Sequence, residues 1–95
     1  MNDELFDWDD ANILHLAEHD VRPEESEEVV LGDPLDLGSE FVDGEVRWSY
    51  VGETNNRRIL QVAITLRGER VRVVTAFEAP RYWKMFYLEQ KAAPQ

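Results

Sequence analysis

The chain has 95 residues, room for one domain with one core, and it is 43% hydrophobic and 11% aromatic, enough apolar surface to oppose chain entropy despite 32% charged residues. Cysteine is absent, which excludes disulfides, thiolate metal sites and cysteine nucleophiles, and a reducing cytoplasm is the compartment that fits. The formal charge of −10 disfavours nucleic acid only if it is evenly spread, and it is not: residues 1–46 hold sixteen Asp or Glu against Arg22 alone, a balance of −15, while residues 47–95 hold nine Lys or Arg against four Glu, a balance of +5.

The first twenty residues carry seven carboxylates and no Lys or Arg, the reverse of a secretory signal. No apolar run approaches the ~18 residues of a membrane helix. A single soluble domain over residues 1–95, with no membrane partner, is expected.

In chain order, "LFDW" (residues 5–8) reads as a short edge strand. Asp9 or Asp10 then caps a helix whose core face is Ile13, Leu16 and Ala17, with Asn12, His15 and His19 forming a polar stripe beside it. "PEESEEVVL" (residues 23–31) predicts a second helix, with Pro at its first position and carboxylates at its positive end; "GDP" stops it. Residues 35–45, "LDLGSEFVDGE", mix turn formers with scattered apolar residues and read as a loop with room for a short extended piece.

From residue 46 the apolar period changes from helical to two. "VRWSYV", "RRILQVAITL" and "RVRVVTAF" are three strands, with "GETNN" joining the first pair and Gly68 marking a hairpin between the second pair. They form an antiparallel meander whose exposed face carries Arg47, Arg70 and Arg72. "APRYWKMFYLEQK" closes the chain as a helix, with Tyr82, Met85, Phe86 and Leu88 or Glu89 at the spacing of a face that covers the sheet.

His15 and His19 admit two readings. Four residues apart, they share a helix face and could supply an acid or base near neutral pH. Equally, they could border the core and bond to backbone carbonyls or carboxylates. The HExxH pattern is absent, since Leu16, Ala17 and Glu18 lie between them, and no third ligand is evident; no metal and no cofactor are expected.

The ordered set Phe6, Trp8, Asp9, Asn12, His15, His19, Val21, Pro23 and Glu25, followed by "DPL", an arginine opening a strand, a "VG" turn and "RVRVVTA" before a terminal helix, resembles the BrnT family of bacterial toxins. The resemblance runs from residue 6 to about residue 88. It implies an α+β, RelE-like fold, here a short N-terminal strand, two helices, a three-stranded antiparallel meander and a C-terminal helix. It also implies a metal-free ribonuclease that arrests translation, acting on RNA on the ribosome, and a DNA-binding antitoxin as partner.

In such chemistry a base helps the ribose 2′-OH attack the adjacent phosphate while cationic groups stabilise the charge that develops. Arg47 matches the family arginine opening the first meander strand, and Arg72 the basic residue of the last. The resemblance implies roles for Arg47, Arg72, Lys84 and Tyr87; RNA contacts are expected from Arg47, Arg70, Arg72 and Arg81, and catalytic roles from Arg47, Lys84 and Tyr87, with His15 or His19 as a secondary proton-transfer group. Phe77 stands where the family strand carries arginine, and Trp83 where its terminal helix carries a charged partner. These departures leave a second reading open, a protein-binding module of the same fold that has lost catalysis.

Overall fold

The computed structural model describes residues 4–93. Its elements in order are α1 (Asp10–Glu18), α2 (Pro23–Leu31), β1 (Leu35–Val42), β2 (Glu45–Glu53), β3 (Ile59–Arg67), β4 (Arg70–Glu78) and α3 (Arg81–Ala92). The four strands form one antiparallel sheet in the order β1-β2-β3-β4.

Helix starts follow the expected chemistry. The Asp9 carboxylate accepts from the Asn12 N–H at 3.2 Å, and the Asn12 side-chain oxygen accepts from the Asp9 N–H at 2.9 Å, so each satisfies a donor the helix cannot. α2 begins with Pro23, and the Glu25 carboxylate reaches back to the Arg22 N–H at 2.9 Å. β3 turns into β4 through Gly68, whose φ of 63° suits a residue without a side chain.

Four expectations are corrected. "LFDW" is not a strand but a single parallel bridge from Phe6 to Val71: the Asp7 N–H donates to Val71 O, and the Val71 N–H to Leu5 O, both at 2.8 Å. Residues 35–42, read as loop, are the edge strand β1. Its alternation is broken by a bulge between Asp36 and Gly38, which hides the period of two, and Asp43 and Gly44, with φ of 51° and 81°, make the tight turn into β2.

On α1 the fully buried residues are Asn12 and Leu16, while Ala17 is exposed, so the helix is rotated toward its polar stripe. On α3 the inward residues are Tyr87 and Trp83; Tyr82, Met85 and Leu88 face out. Aromatic and apolar residues occur all round this helix, and its sequence therefore carries two competing stripes.

The two faces of the sheet are covered unequally. α1 and α2 pack on one, over a core of Phe6, Leu16, Val21, Val29, Leu60, Val62, Ile64, Val73 and Ala76. Gly52 permits the approach of α2, because a Cβ there would lie 2.9 Å from a Val29 methyl. On the other face α3 covers only the end of the sheet marked by Val51, Ile59 and Ala79. The opposite end of those strands, where β2 starts and β3 stops, is not roofed by α3. Among the described residues, no helix is long and apolar enough to cross a membrane.

Candidate functional site

Strand parity decides which side chains meet at that uncovered end. Arg47 lies two and four residues before Ser49 and Val51, hence on the α3 face of β2; Thr65 and Arg67 take the same face of β3. β4 presents Arg72 opposite Thr65 and Arg70 opposite Arg67. α1 lies beside β4, where the Asn12 amide donates to Val73 O at 3.1 Å and to Asp7 O at 3.0 Å. The result is an open cleft of about 570 Å³, walled by Ala11, Asn12 and His15 of α1, floored by Arg72–Thr75 of β4, and closed on the far side by Glu45, Arg47 and Arg67.

Three guanidinium groups converge here, each restrained. Arg72 is gripped by Asp9 at 3.1 Å through both terminal nitrogens and by Asp7 at 3.3 Å. The bond to Asp9 raises the Arg72 pKa further, and the same bond, helped by the Asn12 N–H, holds the Asp9 carboxyl below its ordinary range. Arg47 Nε and Arg67 Nη2 share the Glu45 carboxylate at 3.4 and 3.3 Å. His15 stands across from them, with Nε2 3.1 Å from the Thr75 hydroxyl and Nδ1 3.8 Å from Glu18.

Of the residues expected to form a site, the cleft gathers Arg47, Arg72 and His15. Arg70 shares the face but is drawn to the N-terminal bridge, donating to Phe6 O and lying 3.8 Å from Asp7. His19 packs its ring against His15 and Phe77, with centroids 5.1 and 5.9 Å apart. Lys84 pairs with Glu78 at 3.0 Å on α3. Tyr87 is buried beneath α3, and burial first, then the Glu53 carboxylate, pushes its hydroxyl pKa up. Arg81 lines a separate groove of about 430 Å³ with Tyr82, Met85, Phe86 and Glu89. Neither Phe77 nor Trp83 lines the cleft.

Sequence reasoning missed Glu45 and Arg67. Both stand at strand ends beside turns, where pattern reading stops; the two-residue spacing from Glu45 to Arg47 along β2 was the available signal for Glu45. Among the described residues no group of three or more His, Asp or Glu is placed to hold a metal ion.

No curated protein matches the chain. The family of ribonuclease toxins named BrnT, of type II toxin-antitoxin systems, matches residues 8–82, a span that contains every residue of the cleft and stops short of Lys84 and Tyr87. With that match over most of its length, the chain belongs to the BrnT family and is a ribonuclease toxin of a type II toxin-antitoxin system, with an antitoxin as its partner.

Proposed function

We propose that the Arg47–Arg67–Arg72 cleft is the ribonuclease centre of a RelE-like toxin that arrests translation by cutting RNA on the ribosome. The observation that carries this reading is the convergence of three guanidinium groups with a histidine in a cleft inside the family-matched span. Guanidinium forks match phosphate oxygens, and fixed cations aimed at a phosphoryl group stabilise the charge of its transition state. Phe77 and Trp83, the departures from the family pattern, lie outside the cleft and leave these cations in place. The N-terminal carboxylates Asp7 and Asp9 hold Arg72 ready but partly neutralised, so phosphate is recognised chiefly by Arg47 and Arg67. A DNA-binding antitoxin with an acidic segment fits over the same cleft, and Arg47→Glu is expected to release it on co-purification.

The test is cleavage of free and ribosome-bound RNA with divalent metal chelated. Wild type is expected to cut; Arg47→Ala is expected to cut about a hundredfold more slowly, as for other preorganised electrostatic groups. Lys84→Ala, outside the cleft, is expected to keep most of the rate. A folded wild type that cuts neither substrate overturns the reading and leaves the protein-binding module.

A further inference from the structure

We infer that Glu45 is the general base of this cleft and His15 the general acid facing it, an assignment that rests on the cleft being the ribonuclease centre. Ala11, Val73 and Val74 carry no proton-transfer group, and Arg47, Arg67 and Arg72 do not give up their protons. The Asn12 amide commits both donors, to Asp7 O and Val73 O, and its oxygen to the Asp9 N–H. Thr75 has a hydroxyl that does not ionise in water's range. Glu45 and His15 remain.

Geometry sets them apart and opposite. Glu45 opens β2, two strands from β4 in a sheet whose strands lie about 4.8 Å apart, while His15 stands on α1 beyond β4's far side. A scissile phosphate resting on the arginines between them would have one group on each side, as displacement of a leaving oxygen opposite the attacking one requires.

Glu45 is also loosely held. Its contacts of 3.4 and 3.3 Å are long for charge-assisted bonds, which usually measure about 2.7–2.9 Å, and they occupy two of roughly four acceptor positions. A carboxylate meant only to brace two arginines would be expected to close on them, as Glu25 does on Arg58 at 2.8 Å.

The step balances without a co-reactant. The Glu45 carboxylate takes the 2′-OH proton; the 2′-oxygen bonds to phosphorus; the bond from phosphorus to the 5′-oxygen breaks; and His15, as imidazolium, turns its Nε2–H from the Thr75 hydroxyl, 3.1 Å away, and gives that proton to the leaving oxygen. The products are a 2′,3′-cyclic phosphate and a 5′-hydroxyl. Glu18 lies 3.8 Å from Nδ1, on the side of the ring away from the phosphate.

The experiment compares single-turnover cleavage of a short mixed-sequence RNA with that of the same RNA bearing a bridging 5′-sulfur at one linkage, whose thiolate leaves without a proton donor. Glu45→Gln is expected to slow both substrates about a hundredfold while binding RNA as well as or better than wild type, because a negative charge has left a phosphate site. His15→Ala is expected to fail on ordinary RNA and recover on the sulfur substrate. Glu45→Asp, which retains a carboxylate on a shorter stem, guards against a folding artefact and should regain part of the rate. Glu45→Gln cutting at the wild-type rate or faster, with Arg47→Ala still defective, overturns the assignment and leaves the centre standing. Rescue of Glu45→Gln by sulfur overturns it too, since Glu45 would then be the acid. A wild type that cuts neither substrate removes the centre and the assignment together.

Discussion

Arg58 reaches both oxygens of Glu25, at 2.9 and 2.8 Å, and the Asp20 carbonyl at 3.0 Å, whereas Arg47 and Arg67 divide one carboxylate at 3.4 and 3.3 Å. The chemical groups are the same and the surroundings differ. The Glu25 side chain is 5% exposed, wedged at the start of α2; Glu45 is 25% exposed at a cleft mouth. The first knot ties α2 and the turn before it to the β2–β3 connection, with one Arg58 nitrogen reaching both Glu25 oxygens and the Asp20 carbonyl. The second keeps acceptor and donor positions open. Arg58 closes tightly on a buried carboxylate, whereas Arg47 and Arg67 hold a more exposed one at longer range.

The largest effect that sharpens this contrast is on stability. Arg58→Ala strands a buried carboxylate and should cost about 3 kcal/mol, toward the lower end for such pairs because Arg58 keeps 30% of its side chain in water. At roughly 4–8 °C per kcal/mol in a domain of this size, thermal unfolding should fall by at least about 12 °C. Arg67→Ala should leave the melting temperature near wild type and lower RNA binding instead. Equal losses of stability in both variants would break the distinction.

Acid titration gives the next effect. Burial alone would raise the Glu25 pKa, but the Arg22 N–H and the Arg58 bond and charge outweigh it, and the net shift is downward. A carboxyl with a depressed folded pKa contributes stability that is present above its unfolded value, ~4.3, and is lost as pH falls through the lower folded value. Glu25→Gln, which keeps the shape, should therefore be less stable than wild type at neutral pH, and urea unfolding should show the gap closing below about pH 4. A gap that persists undiminished in acid would count against the ion pair as its source.

The smallest effect concerns binding. With Arg72 engaged by Asp7 and Asp9, only about two phosphate charges are neutralised in the cleft, and log affinity for single-stranded RNA should fall with log salt at a slope of about −1.4. A slope several times steeper would place RNA on a broader cationic surface.

These regions were not equally legible from sequence. α2 was bounded by Pro23 and Gly32, whose backbone restrictions act locally, and β2 and β3 by a period of two, whereas in β4 a bulge at Val74 shifts parity, so that Val73 and Ala76 rather than Val73 and Thr75 share the core face. Arg47 and Arg72 could be placed together because parity survives along a regular strand. β1 was missed because its bulge at Gly38 interrupts parity, and the α3 face was inverted because Trp83 and Tyr87 compete with Tyr82, Met85 and Phe86 for the inward position. The Arg58–Glu25 knot was invisible for a different reason. It joins residues 33 apart through a turn, where Arg57 has a φ of 64°, and no local pattern records which way such a turn aims the next side chain.

Among the described residues β1 is hydrogen-bonded on one side only, and a row of backbone donors and acceptors along its outer edge is therefore open to recruitment by another extended chain. The same bulge that concealed this strand interferes with such recruitment. Gly38, at φ 101°, bends the edge out of line, the Asp36 carboxylate takes the Gly38 N–H at 2.7 Å, and Asp36 and Glu40 place negative charge along the rim. Two such rims brought together repel each other and mismatch in register. An irregularity that costs the sheet some pairing thus protects it from growing into an aggregate, and smoothing it with a β-branched residue at position 38 would strain the backbone and remove the protection together.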